Sequence, residues 1–231
     1  MIDFTVFEEK NGLNFKNKDL LKQAFVHRSY LNENNDFGIE HNERLEFLGD
    51  AVLELIVTEE LFRRYPDKSE GELTAIRAAM VNTMSISNAA NNLGVNDYLL
   101  LSKGESKDTG KAREYILANT YEALIGAIYL DRGFDAAEKF IEDSLFTKIE
   151  EIVSKKLWRD SKSLVQEKAQ ESLGVTPKYE VLEETGPDHD KNFTIGIFFG
   201  SSLVGKGTGK SKQEAEQIAA RNALIKKNWL D

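Results

Sequence analysis

Two hydrophobic periods divide this chain. Through most of residues 18–155 apolar side chains recur every three or four positions, whereas near residue 195 they recur every second position. The first pattern is that of amphipathic helices and the second that of a strand, so one uniform architecture is excluded. The spacing predicts helices over 18–31, 41–65, 70–93, 111–130 and 134–155, with Pro66, Gly94, Gly110 and Gly133 as turns or caps. Around 150–163 the chain turns polar, which predicts a boundary between a domain of residues 1–158 and one of residues 159–231. Beyond it, Ser163 to Leu173 reads as helix. Phe193, Ile195, Ile197 and Phe199 alternate along one strand, Tyr179, Val181 and Leu203, Val204 suggest neighbouring strands, and Lys212 to Lys227 returns to helix. The expected fold is an all-α domain followed by a small α+β domain in the order α-β-β-β-α.

Charge sharpens the division. The net charge of −9 argues against a nucleic-acid partner only while the chain is taken whole. Residues 1–158 hold 19 Lys and Arg against 28 Asp and Glu, while residues 159–231 hold 11 of each. Within 206–227 six bases face two acids. A locally basic appendage on an acidic body no longer excludes a polyanionic partner, though charge alone does not assign one. No stretch approaches the ~18 apolar residues of a membrane span. The N-terminus lacks the basic-then-apolar layout of a signal peptide, and with no Cys there is neither a disulfide nor a thiolate zinc site. A cytoplasmic protein without a membrane partner is expected.

The densest chemistry lies in His41-Asn42-Glu43-Arg44-Leu45-Glu46-Phe47-Leu48-Gly49-Asp50. Glu43, Glu46 and Asp50 stand at i, i+3 and i+7, so a helix puts all three acids on one face. Stacked carboxylates are ordinarily a solvated face. Here the residues around them are apolar, and a second apolar stretch, Tyr115 to Leu130, carries Glu122 as its one charged residue with Asn119 one turn before it. A carboxylate in apolar surroundings must be protonated, paired or bound to a cation. Oxygen donors without Cys point to a hard ion such as Mg²⁺.

The run Asn42 to Asp50 resembles the signature motif of the bacterial ribonuclease III family, and Glu122-Ala123-Leu124-Ile125-Gly126-Ala127 resembles that family's second motif. The C-terminal segment is similar to the double-stranded RNA-binding domain found in the same order there. The resemblance implies a homodimeric endoribonuclease that cuts double-stranded RNA with Mg²⁺, or Mn²⁺ in its place. It implies products with 5′-phosphate and 3′-hydroxyl ends and a short 3′ overhang, from precursors of ribosomal RNA and structured messenger and transfer RNA. Carried over residue by residue, it makes Glu46, Asn119 and Glu122 metal ligands and Asp50 and Glu122 catalytic. Glu43 and Glu70 become further active-site acids. Phe47 matches an aromatic that inserts into the partner subunit, although by pattern alone it reads as ordinary core. His27 also falls in a matching stretch, but a lone His on an amphipathic helix is usually structural and is given no chemistry.

In the second domain Gly205-Lys206-Gly207-Thr208-Gly209-Lys210-Ser211-Lys212 resembles the family's phosphate-binding run, so Lys210, Ser211 and Lys212 are expected to hold RNA phosphates. Ser211 and Glu214 also spell a capping box. Gln166 aligns with a minor-groove contact on the first helix, and His189 stands at the tip of a loop that enters the groove in the family. The glycine-rich run nearly spells a nucleotide-binding P-loop, but Val204 occupies the position where that motif needs Gly, and no βαβ repeat surrounds it. No nucleotide cofactor is expected. One position departs from the pattern: the best-known family members have Asp where this chain has Asn119. A tolerated variant, an engineered weakening and a catalytically silent, ribosome-associated RNA-binding protein all remain open at this point, although Glu43, Glu46, Asp50, Glu70 and Glu122 are all retained.

Overall fold

The computed structural model describes residues 2–156, 158–187 and 191–229, and the chain divides into two compact units, residues 1–158 and 159–231. The first unit is helical: α1 Phe4–Lys10, α2 Lys18–Ala24, α3 Arg28–Glu33, α4 Glu43–Arg64, α5 Glu70–Met80, α6 Thr83–Leu93, α7 Lys111–Arg132, α8 Phe134–Ser144 and α9 Ile149–Ser154. Its centre is α7, whose residues 116–128 are buried except at Asn119 and Glu122. Leu53, Ile56, Val57 and Leu61 of α4 close on it, with Ile86, Ala89 and Ala90 of α6 and Ile141 of α8 around them. Burial of this many aliphatic side chains, at roughly 1.5–3 kcal/mol each, is what makes two 22-residue helices pair so tightly.

Three expected helices are each split in two, for reasons that periodicity cannot register. The helix foreseen over 18–31 breaks at Phe25, where the backbone of residues 25–27 turns to bond Leu100 instead of continuing its own turns. Buried Asn42 secures the break, since its side-chain amide donates to the Ala24 carbonyl at 3.0 Å. The stretch 70–93 breaks at Val81–Asn82, because the Asn82 side chain accepts from the Ser85 amide and starts α6. The stretch 134–155 breaks after Ser144 into a short 3₁₀ turn, Phe146–Lys148, before α9. Helix α1 was not expected from the sequence. Asp3 caps it, and its Phe7, fully buried, meets Phe25 edge-on at 4.9 Å.

The second unit is helix α10 Ser161–Leu173, strands β1 Lys178–Thr185, β2 Asn192–Phe199 and β3 Ser202–Gly209, and helix α11 Lys212–Lys227. The three strands form one antiparallel sheet in the order β1-β2-β3. The expected alternation holds: Ile195, Ile197 and Phe199 are buried on one face of β2, and Ile197 and Phe199 join Leu164 and Val165 of α10 and Ala219, Ala220 and Ala223 of α11 in the core. The glycines of β3 explain the alanines of α11. A Cβ at Gly205 would lie 2.6 Å from the Ala219 carbonyl oxygen, and one at Gly207 would overlap the backbone at Ala215 and Ala219. Strand and helix touch backbone to backbone there, which only glycine permits.

Candidate active site and RNA interface

A backbone contact also builds the acidic site. Helices α4 and α7 cross where Gly49 faces Glu122 and Gly126, and Gly126 in turn faces Leu45. A methyl group at Gly49 would run into the carbonyl of Glu122, and one at Gly126 into that of Leu45. The two glycines therefore let the helix axes approach far enough for side chains beside the crossing to share a cleft. Glu46 and Asp50 flank Gly49 on α4, while Glu122 and, one turn earlier, Asn119 look out from α7.

Electrostatics shows that three of these acids form a group. Burial pushes the Glu122 carboxyl up to about 7, and the negative charges of Asp50 and then Glu46 add to the rise. Glu46 is also raised, first by burial and then by Glu43 and Asp50. Glu43 sits at the start of α4, half-exposed, with Arg28 at 3.6 Å and His41 at 3.7 Å from its carboxylate. No cationic side chain among the described residues counters the rise at Glu46 or Glu122. Among the described residues no three His, Cys, Asp or Glu side chains are gathered tightly enough to enclose an ion, a residue set that leaves out Asn119. Like charges that only repel one another stand apart. The donor chemistry still fits a hard cation: carboxylates and one amide oxygen, partly desolvated and carrying unrelieved negative charge.

Glu70 does not join this group within one chain. It opens α5 behind the Ser69 cap, bonded to Thr74, and lines a cavity of about 430 Å³ with Thr58, Phe62, Leu73 and Arg77, toward the other end of α4. Phe47 corrects the expectation of ordinary core. It is 82% exposed, and Leu55 and Phe62 farther along α4 are exposed with it. Helical phase places these three on one side, so α4 presents an apolar stripe to solvent beside its acids. His27 is structural, as expected. Its Nδ1 accepts from the Ser29 amide at the start of α3, and the Ser29 hydroxyl accepts from the Ser102 amide at 3.1 Å.

Sequence reasoning missed how the segment before α7 is fixed. The Arg113 guanidinium donates to the carbonyls of Glu105, Ser106 and Asp108 at 3.0–3.3 Å and folds residues 105–110 around itself. The signal was a lone Arg in a polar, glycine-punctuated stretch, which has no periodicity to read.

In the second unit Gln166 is exposed on α10, where Ser163, Glu167, Gln170 and Glu171 share its surface. Ser211 caps α11, accepting from the Glu214 amide at 3.2 Å, but the return arm of the expected capping box goes elsewhere. The Glu214 carboxylate accepts from the Lys210 amide at 2.8 Å rather than from Ser211. The Lys212 ammonium lies 5.5 Å from the centre of the Phe193 ring. His189 lies outside the described residues.

A helical unit with an acid cleft, followed by a separate α-β-β-β-α unit with a basic helix start, defines a nuclease body joined to an RNA-binding module. Residues 17–149 match the family model described as ribonuclease-III-like, and residues 161–227 match the double-stranded RNA binding motif. The chain is 45% identical to "Ribonuclease 3" of Desulforamulus reducens, over 92% of this chain and 87% of that protein. It is 46% identical to the protein of the same name from Bacillus cytotoxicus, over 96% and 91% respectively. The solved nuclease domain of ribonuclease III from Campylobacter jejuni is 39% identical, with a TM-score of 0.56, covering 65% of this chain and 96% of that one. The chain belongs to the ribonuclease III family of endoribonucleases.

Proposed function

We propose that the protein cuts double-stranded RNA as a Mg²⁺-dependent homodimer, the second unit holding the duplex while the α4–α7 cleft performs the cleavage. The observation that carries this reading is the convergence of Glu46, Asp50 and Glu122 at a glycine-enforced helix crossing, where burial and mutual repulsion leave negative charge for a cation to relieve. Glu46, Asn119 and Glu122 would hold the ion and Mn²⁺ would substitute for it. When bound, such an ion neutralises phosphate charge and makes water a better nucleophile near neutral pH. Asp50, beside these donors, is suited to orient and accept a proton from the attacking water, with Glu43 as an outer acid and Glu70 able to act as one only from the second copy of the dimer. Products would carry 5′-phosphate and 3′-hydroxyl ends.

Two strands require two sites, and the exposed stripe of Phe47, Leu55 and Phe62 supports a second copy as the means of supplying the other. Dimer formation has been described for the Campylobacter jejuni nuclease domain. Sites facing opposite strands would leave a short 3′ overhang. In the second unit Lys210, Ser211 and Lys212 would meet phosphates at the start of α11, and Gln166 the minor groove, with His189 added to these contacts by the resemblance to the family. The substrates this reading favours are precursors of ribosomal RNA and structured messenger and transfer RNA, met in the cytoplasm. Among the described residues no helix is long and apolar enough to cross a membrane.

The deciding experiment incubates the protein with a long RNA duplex, with Mg²⁺ or with EDTA, and maps the product ends. Cleavage only with the cation, yielding 5′-phosphate ends, is the expected result. Retention of the duplex on the protein with no cleavage at any Mg²⁺ concentration would instead leave an RNA-binding protein without activity.

A further inference from the structure

Between residues 115 and 128, α7 shows solvent only three side chains: Tyr115, Asn119 and Glu122. They stand at i, i+4 and i+7, so they form a single stripe along the helix. Two of them belong to the proposed cation site. The third is an aromatic side chain, 58% exposed, on a helix whose other central apolar side chains are all inside the core. An exposed aromatic residue is by itself unremarkable. Its position in line with the acid cleft is what gives it a role.

The stripe extends one more turn to Lys111, the exposed first residue of α7. Read from the amino end it runs cation, hydroxyl donor, amide, carboxylate, over about 16 Å at 1.5 Å per residue. A phosphodiester backbone approaching along this stripe meets an uncharged hydroxyl in line with the acids. A tyrosine hydroxyl donates a hydrogen bond without carrying charge, so it holds a phosphate oxygen without competing for the acids that hold the ion. Base stacking is excluded, because the bases of an intact duplex are covered. The ring must instead lie along a ribose, the part of a duplex strand that exposes an apolar face.

We propose that Tyr115 is a substrate-positioning residue: it contacts the RNA strand next to the scissile phosphate, its ring against a ribose and its hydroxyl donating to a phosphate oxygen. This rests on the proposed duplex-RNA nuclease reading. A misplaced strand costs rate at the chemical step, because the attacking and leaving oxygens no longer align.

The test compares the full-length protein with Tyr115→Phe and Tyr115→Ala on an end-labelled RNA duplex, at enzyme concentrations that saturate it. Single-turnover rate, product positions, the Mg²⁺ midpoint, melting temperature and oligomeric state are read for each. Tyr115→Ala should slow cleavage between about tenfold and a hundredfold and blur the cleavage positions, with Tyr115→Phe in between. The Mg²⁺ midpoint, melting temperature and oligomeric state should match the parent. Rates and positions within twofold of the parent for both variants would overturn the proposal. So would a shifted Mg²⁺ midpoint, which would put Tyr115 among the ligands, or a change to monomer, which would make it a subunit contact. If the parent leaves the duplex uncut, the nuclease reading itself fails and Tyr115 loses its role with it.

Discussion

At the scale of single residues, Glu122 sits under a strain that can be measured without any RNA. Its carboxyl is raised to about 7 by burial and by Asp50 and Glu46, so folding favours its protonated form. A raised acid contributes stability below its unfolded value near 4.3, and that contribution is lost as pH climbs through about 7. In EDTA at pH 8, Glu122→Gln should therefore melt higher than the parent, by about 2–4 °C for each kcal/mol relieved, and the difference should vanish below about pH 4. Adding Mg²⁺ should stabilise the parent and not the variant. The same variant should bind duplex RNA and fail to cut it, whereas substantial residual cleavage would remove Glu122 from the machinery. Asn119 allows the opposite change. Asn119→Asp adds a unit charge near the proposed ion. At an effective dielectric of ~20 and ~4 Å separation that is worth roughly 4 kcal/mol before desolvation takes much of it. A net gain of ~1.4 kcal/mol shifts the Mg²⁺ midpoint for cleavage tenfold, with duplex binding in EDTA unmoved. Superimposable Mg²⁺ titrations would place residue 119 outside the ligand set.

At the scale of elements, the cleft depends on how closely α4 and α7 cross. Gly49→Ala puts a methyl group into the Glu122 carbonyl, so the helices must separate by more than an ångström or one must bend. Overpacking of this kind costs about 1–3 kcal/mol, which a well-packed core can survive. The carboxylates, spaced by that crossing, should not: calorimetry should find a folded but destabilised protein, and an RNA assay should find cleavage reduced at least a hundredfold. A fully active Gly49→Ala variant would mean that the glycine contact does not set the site. This crossing also shows what a sequence can disclose. Glu46, Asp50, Asn119 and Glu122 were visible as oxygen donors on apolar helices, because period and chemistry are both local. That Gly49 and Gly126 are the reason they share a cleft was not, since a contact 77 positions apart leaves no local trace. The same division runs through the fold. The long helices α4 and α7 and the alternation of β2 follow from pattern, while the break at Phe25 comes from tertiary bonds made by Asn42 and Leu100 and that at Val81 from the Asn82 cap, which periodicity does not register. Phe47 reads as core by pattern alone because apolar patterning records a preference for burial, and the partner contact that the resemblance implies would leave the same pattern as burial within one chain; its exposure removes the core reading.

At the scale of the whole molecule, the proposed function divides affinity from chemistry between the two units. The first carries the acid cleft and a net charge of −9, so its own field repels RNA, while the second is neutral overall but basic over 206–227. The units have separate hydrophobic cores, so either should fold without the other. Removing residues 159–231 should leave a helical protein that retains the apolar stripe of α4, the Gly49–Gly126 crossing and the acids. It should still assemble as a dimer. Such a protein loses the phosphate contacts proposed for Lys210 and Lys212, and each neutralised phosphate contributes nearly one unit to the slope of log affinity against log salt. Truncation should therefore flatten the salt dependence of duplex binding, with the loss of affinity widest at low salt, where the missing phosphate contacts contribute most. Cleavage by the truncated protein should be poor at physiological salt and improve as salt is lowered, because each phosphate contact that remains strengthens as salt falls. Binding isotherms at several salt concentrations, with cleavage measured in parallel, separate the two effects. A truncated protein that binds duplex RNA as tightly as the whole chain, with an unchanged salt slope, would show that the basic start of α11 is not the anchor and that the nuclease unit overcomes its own charge by other contacts.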